Sequence, residues 1–327
     1  MSAFHIPVVD ITAARAGDRD ARAAAARAFG KALEEVGFVT LVGHGVDDAL
    51  TTATYDVMRE FFARPVADKL SSCPPEQAKS RGYLPVGIES VASTLDAETP
   101  PDLCEALVFA GLSRPSALTG ARPPIWPERP QALRDLVERY HHALESLGKD
   151  LMRLSALALD LPEDHLDRHF IDPAMVLRFV NYPDQPEMPL PGQLRYGAHH
   201  DYGGLTILRQ DTAPGGLEVC DADGAWHAVP PSGDGFVINV GDLMSRWTNG
   251  RWRSTLHRVV NPARELTGST QRLSMVAFFG PHEDSEIDCL PSCVSAENPA
   301  RWPPVKAGDY IRAKIARSMD LPASSAA

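Results

Sequence analysis

The stretch "YGAHHDYGGLTI", residues 196–207, sets two histidines side by side and an aspartate after them. Side chains alternate across a strand, so on a strand His199 and Asp201 share one face and His200 lies on the other. Only His199 can then act together with Asp201. Two ligands hold a catalytic metal poorly, and the next histidine on an expected strand is His257 in "TNGRWRSTLHRVV", where Asn-Gly suits a hairpin turn. Two imidazoles and one carboxylate on one side of a metal suit non-haem iron(II), because neighbouring coordination positions stay open for substrate and dioxygen. Zinc is the competing metal, but a hydrolytic zinc site needs a nearby glutamate base, and "GAHHDYGG" supplies none.

Some fifteen residues beyond His257, "QRLSMVAF" places Arg272 and Ser274 two apart, hence on one face of a strand. The planar guanidinium binds a carboxylate through two parallel hydrogen bonds, and a neighbouring serine hydroxyl donates one more. An inward-facing arginine on an apolar strand needs an anion. A bound carboxylate and an internal Asp or Glu both satisfy that requirement, and the strand alone leaves the two open.

The texture of the chain changes around this constellation. In the first third, "RDARAAAARAFGKALEEVGF" is an alanine-rich helix stopping at Gly37, and "LTTATYDVMREFFARP" puts Tyr55, Met58, Phe61 and Phe62 on one helix face. "FVTLVGHGV" between them reads as a short buried strand, with His44 as a satisfied loop histidine. Residues 71–128 are rich in proline, serine and glycine and read as ordered loop with a strand; "QALRDLVERYHHALESLGKDLMRLSALA", 131–158, is a helix with one buried stripe. After Pro173 come seven short apolar runs of strand length, among them "MVLRFVNYP", "GLTILRQD" and "RLSMVAFFG". Strands at that spacing predict a barrel or sandwich in the second half, with helices from the first half packed outside it. "VKAGDYIRAKIARSMD" reads as a final helix and "PASSAA" as a short low-complexity tail.

Composition excludes several function classes. The 327 residues are 44% hydrophobic and 23% charged, as expected of a globular chain with a sizeable core, and the net charge of -11 lacks the basic clusters that phosphate backbones require. Nucleic acid is therefore not an expected partner. "MSAFHIPVVDI" has neither a basic nor an apolar leader region, and nowhere do 18 apolar residues run together, so the expectation is a cytoplasmic protein without a membrane partner. Cys73, Cys104, Cys220, Cys289 and Cys293 are odd in number and widely spaced, which predicts reduced, packed thiols.

Several long motifs, in the same order, resemble one family: the iron(II)- and 2-oxoglutarate-dependent oxygenases of the isopenicillin N synthase-like group. They are "IPVVDI" with "EEVGFVTLVGHGV", "AHHDYGGLTILRQD", "GDLMSRWTNGRWRSTLHRVVNP" and "QRLSMVAFFGP", and together they span nearly the whole chain. The resemblance implies an α+β protein, a double-stranded β-helix (jelly roll) core with flanking helices drawn mostly from the N-terminal third. Residues 1–130 would form an N-terminal helical and loop region, and 131–327 the long helix, the oxygenase core and the C-terminal helix, all in one compact unit. Carried over residue by residue, His199, Asp201 and His257 are the iron ligands. Arg272 and Ser274 hold the distal carboxylate of 2-oxoglutarate, and Tyr182 in "NYP" adds its hydroxyl. "VNYP" departs from the family's Asn-Tyr-Tyr-Pro, so that the cofactor-contacting asparagine the resemblance implies is either replaced by Val180 or shifted.

The implied cofactors are Fe(II), 2-oxoglutarate and O2. The implied reaction couples release of succinate and CO2 to hydroxylation, desaturation or ring closure of a small molecule. The resemblance puts the substrate pocket between the barrel mouth and the loops of 81–110, which makes Tyr83, Glu89, Glu105, Phe109 and, from the barrel, Phe279 the candidate contacts. Trp247 and Trp252 read as packing residues, and His227 and His282 as bystanders. An oxidase in which the Arg-x-Ser pair binds a substrate carboxylate, and a non-catalytic binder on the same fold, are the alternatives. The substrate and the oligomeric state are not legible.

Overall fold

The computed structural model describes residues 4–74, 81–95, 99–115, 122–214 and 216–319. Parts of the stretches read above, namely Met1–Ala3, residues 75–80, 96–98 and 116–121, Asp320 and the "PASSAA" tail, lie outside the described residues.

The chain runs β1 (Val8–Asp10), α1 (Thr12–Arg15), α2 (Arg19–Glu35), β2 (Phe38–Val42), α3 (Asp48–Phe62), α4 (Val66–Leu70), β3 (Gly82–Leu84) and β4 (Glu105–Ala110). It continues through α5 (Leu133–Ala158), β5 (Ala174–Tyr182), β6 (Tyr196–His199), β7 (Leu205–Gln210), β8 (Leu217–Cys220), β9 (Trp226–Ala228) and β10 (Phe236–Val240). The remainder is α6 (Asp242–Trp247), β11 (His257–Val259), β12 (Arg272–Gly280), β13 (Glu286–Ile287), β14 (Val305–Lys306) and α7 (Ala307–Met319).

The helices start and stop where local chemistry requires. Asp18 caps α2 by accepting a hydrogen bond from the Ala21 amide, and Asp47 does the same for α3 through Ala49. Gly37 ends the first of these turns at φ +77°, a conformation costly for any residue with a Cβ. In α5 the stripe of Leu133, Val137, Tyr140, Leu144, Leu147, Leu151 and Leu154 is buried, so helical periodicity and burial coincide. That stripe packs on α2 and α3, and α5 also lies against β12. Gly148 permits the last contact: a Cβ there would stand 2.6 Å from ring carbons of Phe279.

The strands form an eight-stranded sheet in the order β1-β2-β10-β7-β12-β5-β4-β3 and a four-stranded sheet in the order β6-β11-β8-β9. Together they are the two faces of the jelly roll. Strand alternation divides the large sheet: Leu177, Phe179, Leu273, Met275, Ala277 and Phe279 join the core beneath the helices. Their neighbours Val180 and Tyr182 face inward with Val259 of the small sheet.

Two sequence expectations change. The N-terminal third, read as mainly helical, also contributes four strands, β1 and β2 at one edge of the large sheet and β3 and β4 at the other. The strand in "FVTLV" and one strand within 71–128 are expected from the sequence; β1 and β3, at three residues each, are too short for alternation to stand out from loop. Asn249-Gly250 is not a hairpin turn: with φ of +53° and +77° these residues close the C-terminal end of α6, which intervenes between β10 and β11. The first turn of a loop and the stop of a short helix use the same left-handed conformation, so the dipeptide alone does not separate them.

Candidate metal centre

His199 is the last residue of β6, His257 the first of β11, and the two are paired antiparallel neighbours. Asp201 follows two residues after His199, and all three side chains are buried. The Nε2 atoms of His199 and His257 lie 3.6 and 3.7 Å from the same carboxylate oxygen, Oδ1 of Asp201. One ligand atom from each residue falls within 4.8 Å of the others, the geometry of a three-ligand metal site. His200 leaves the triad, as strand alternation requires, and faces Ser254, whose hydroxyl lies 3.4 Å from its Nδ1.

The surrounding hydrogen bonds prepare each ligand atom. Nδ1 of His199 lies 2.9 Å from the carbonyl oxygen of Gly197, and Nδ1 of His257 lies 3.0 Å from that of Thr255. A carbonyl only accepts, so each Nδ1 carries the proton and each Nε2 offers its lone pair to a metal. Asp201 is prepared the same way: its Oδ2 accepts from the Thr206 hydroxyl and the Asn239 amide, both at 2.6 Å, which leaves Oδ1 free. Burial pushes the Asp201 carboxyl up, but the charge and hydrogen bonding of His257, His199 and Thr206 outweigh it and hold the group well below the usual carboxylate range. Burial, then the neighbouring His199, lowers His257 to about 4. At neutral pH Asp201 is a carboxylate and His257 a neutral imidazole, the protonation states that metal ligation needs.

A cavity of about 60 Å³ runs from this triad to Tyr182, Arg272 and Ser274. Arg272 is 2% exposed and donates to the Ser274 hydroxyl at 2.6 Å and to the Gln210 side-chain carbonyl at 2.7 Å. Both acceptors are neutral, and among the described residues no carboxylate reaches its guanidinium. The buried amide nitrogen of Gln210 also lacks a protein partner. A buried charge and a buried donor left without partners cost several kcal/mol unless an anion joins them. Tyr182 is paired with Arg272 across β5 and β12, and the guanidinium sits 5.2 Å from its ring centre. Burial pushes the Tyr182 phenol up to about 12, so it remains a hydrogen-bond donor. Val180 occupies the inward position next to Tyr182, while Asn181 points to the helix side and bonds Glu105 and Gln271.

Iron(II) and a single carboxylate ligand leave one net positive charge at the inner end of this cavity, and Arg272 supplies another at the outer end. A dicarboxylate with an adjacent keto group matches both ends, so the residues fit 2-oxoglutarate and iron(II).

A second cavity, about 190 Å³, opens on the other side of the triad and shares His199, Asp201, Arg178 and Phe278 with the first. Of the substrate contacts expected from sequence, Glu89 lines it. Tyr83, Glu105 and Phe109 do not. Tyr83 donates its hydroxyl to Glu105, which also accepts from Lys69 at 2.7 Å and from Asn181 at 2.8 Å, in a buried network on the helix side of the sheet. Phe109 packs there too, against Trp126 and Phe179. Phe279 borders the cavity but turns its ring into the core, stacked 5.3 Å from Phe170, whereas Phe278 is the half-buried inward neighbour. Counting by twos from Arg272 leads to Ser274, Val276 and Phe278, so alternation itself contained this correction. Counting back from Tyr182 likewise leads to Arg178, which the sequence reading missed. Ile311 and Ile315, brought to the cavity by α7, carried no local signal.

Several smaller expectations agree with the structure. His44 is satisfied by the Asp234 carbonyl and the Val46 amide, Trp247 and Trp252 are core residues, His227 pairs with Asp221, and the five cysteines are free. Among the described residues no helix is long and apolar enough to cross a membrane.

Known proteins share this arrangement. Residues 171–281 match the model of the 2OG-Fe(II) oxygenase superfamily, and 6–129 match the N-terminal region of the non-haem dioxygenases in morphine synthesis. The 2-oxoglutarate-Fe(II) type oxidoreductase hxnY of Emericella nidulans is 31% identical over 324 residues, 95% of this chain and 90% of that protein. A homoarginine-6-hydroxylase of Oryza sativa subsp. japonica is 31% identical over 297 residues, 87% of this chain and 86% of its own length. The crystal structure of a full-length Neurospora crassa protein in complex with alpha-KG and thymine superposes with a TM-score of 0.84 at 26% identity, covering 95% of this chain and 96% of that one. A 2OG-Fe(II) oxygenase family protein of Caulobacter crescentus superposes at 0.82 and 31% identity, covering 95% and 98%. The chain therefore belongs to the 2OG-Fe(II) oxygenase superfamily, and it is an Fe(II)- and 2-oxoglutarate-dependent dioxygenase with a jelly-roll core.

Proposed function

We propose that His199, Asp201 and His257 hold the iron, and that Arg272, Ser274 and Tyr182 hold the distal carboxylate of 2-oxoglutarate. In this reading the larger cavity receives a small-molecule substrate. The observation that carries it is Arg272, a buried guanidinium without a carboxylate partner among the described residues, at the end of a cavity that begins at the triad. Iron bound there supplies the oxygen chemistry, oxidising the substrate as 2-oxoglutarate is converted to succinate and CO2. The protein's own part is positioning. Thr206 and Asn239 aim the Asp201 carboxylate, Gly197 and Thr255 fix the imidazole tautomers, and Arg272 with Ser274 orients the cosubstrate. Residues 1–130 and 131–327 act as one unit in this reading, since strands from the first complete the sheet of the second.

Anaerobic addition of iron(II) and then 2-oxoglutarate to the apoprotein tests the assignment. The visible charge-transfer band of iron-chelated 2-oxoglutarate is expected with the wild type and is weakened in Arg272→Ala. Iron binding with no band in either protein overturns the cosubstrate assignment.

A further inference from the structure

The larger cavity is apolar along Val91, Val108, Val176, Phe278 and Ile311, but one charged pair projects into it. Arg178, inward-facing on β5 between Val108 of β4 and Val276 of β12, grips Glu89 with both terminal nitrogens, one bond measuring 3.0 Å. The side chains retain 11% and 15% exposure, so the pair is sunk in the wall yet reachable from the cavity. The loop that carries Glu89 is stitched down by Asp102, whose carboxylate accepts from Val91 at 2.9 Å and from Gly197 of β6 at 2.8 Å. The Asp102 amide in turn donates to the Glu89 carbonyl at 2.7 Å. The Tyr196 ring lies between the pair and the metal site, 5.4 Å from the Arg178 guanidinium and 4.9 Å from the His199 ring. The pair and the metal site are thus separated by one aromatic ring along the wall of the same cavity.

The pair is neutral as a whole, and that decides which polar group it accepts. A substrate carboxylate meets Glu89 already in the guanidinium fork and must either displace it or bear its repulsion. An ammonium meets the same obstacle from Arg178. A neutral group offering an acceptor and a donor side by side disrupts nothing: its carbonyl takes a remaining guanidinium N–H while its N–H donates to a free carboxylate lone pair. A ring amide holds those two groups on one side, because ring closure forces the amide to be cis.

We propose that the Glu89–Arg178 pair determines substrate specificity, selecting a compact, otherwise apolar ring compound by a neutral lactam, cyclic imide or cyclic ureide edge. This rests on the reading of the larger cavity as the substrate pocket.

Three ring probes differing in their polar group test it: valerolactam, cyclohexanecarboxylate and cyclohexylamine. They are titrated by ligand-detected NMR into anaerobic protein loaded with iron(II) and 2-oxoglutarate. The wild type is expected to bind the lactam roughly tenfold or more tighter than either charged probe, the worth of one charge-assisted hydrogen bond. Glu89→Gln leaves the guanidinium uncompensated and reverses the order, so that the carboxylate gains about tenfold and overtakes the lactam. Glu89→Gln with Arg178→Gln, which buries no lone charge, loses the discrimination altogether. Tightest binding of the carboxylate or the amine by the wild type, an order unmoved by Glu89→Gln, or saturable binding of none of the three overturns the proposal. The charge-transfer band, recorded on the same samples, separates these outcomes from failure of the cofactor assignment, which removes the band itself.

Discussion

His199 and His257 stand directly opposite one another on antiparallel strands, and both Nε2 atoms converge on a single oxygen of Asp201. Register, not sequence proximity, makes them a pair, and His200, the immediate neighbour of His199, is excluded by it. His257→Ala is expected to abolish stoichiometric iron(II) binding, while His200→Ala retains it. Anaerobic iron titration distinguishes the two, and equal loss in both variants contradicts the register argument.

Among the described residues Arg272 meets neutral acceptors, Ser274 and Gln210. Its charge is therefore available to a ligand. Arg272→Ala is expected to weaken 2-oxoglutarate binding by about 10- to 100-fold, the range for hydrogen bonds to charged groups. Arg272→Lys keeps the charge but not the planar fork and falls between. Iron affinity measured without 2-oxoglutarate should change little in either variant.

Glu105 is a structural residue in this fold, joined to Lys69, Tyr83 and Asn181 behind the sheet. Removing one partner of a buried ion pair strands the other, so Glu105→Ala is expected to cost about 3–5 kcal/mol of stability. Replacing both charges, with Glu105→Leu and Lys69→Met together, costs less. Urea unfolding of the three proteins checks the order, and a double variant less stable than Glu105→Ala would count against the pairing.

Phe278 and Phe279 are neighbours on β12 with opposite destinies, one ring facing the larger cavity and the other stacked on Phe170 over Gly148. Phe279→Ala is expected to destabilise by about 3–5 kcal/mol as a core truncation. Phe278→Ala should be far milder in unfolding experiments and should instead alter the affinity for ring probes. The reverse pattern would place the wrong ring in the pocket.

His141, buried on α5 away from the metal site, has its pKa lowered to about 4 by burial, against 6.5 in the unfolded chain. Between those values the unfolded state binds more protons, so stability rises with pH across that window. The stability it contributes is complete above pH 6.5 and is lost as pH falls toward 4. The urea midpoint of the apoprotein should drop over this range, and His141→Leu should make the drop shallower. An identical slope in both proteins would mean that His141 titrates normally.

Much of this molecule was legible before any coordinates. Alternation over 199–201 separated the histidine that joins Asp201 from its neighbour, and the Arg272–Ser274 spacing put both side chains on one inward face, because both depend only on the two-residue period of a strand. The same period, applied from Arg272 and Tyr182, points to Phe278 and Arg178 as further inward-facing residues that line the cavity. Glu105 and Tyr83 are different. Their types and loop context suit a pocket equally well, and only the pairing of β4 with β5 turns Glu105 to the helix side, where Lys69 neutralises it.

By itself, the sequence determined the chemical repertoire of this protein: which residues can ligate iron, which can hold a dicarboxylate, and where the long helices and the barrel strands of the second half run. Those properties are local, written in residue type and short-range periodicity. The tertiary structure alone decided which side chains share a cavity. It brought Glu89 to Arg178 across 89 positions, carried α7 with Ile311 over the mouth, and gave Asn249-Gly250 to a helix end. Such contacts arise from strand order and layer packing, which no window of neighbouring residues contains.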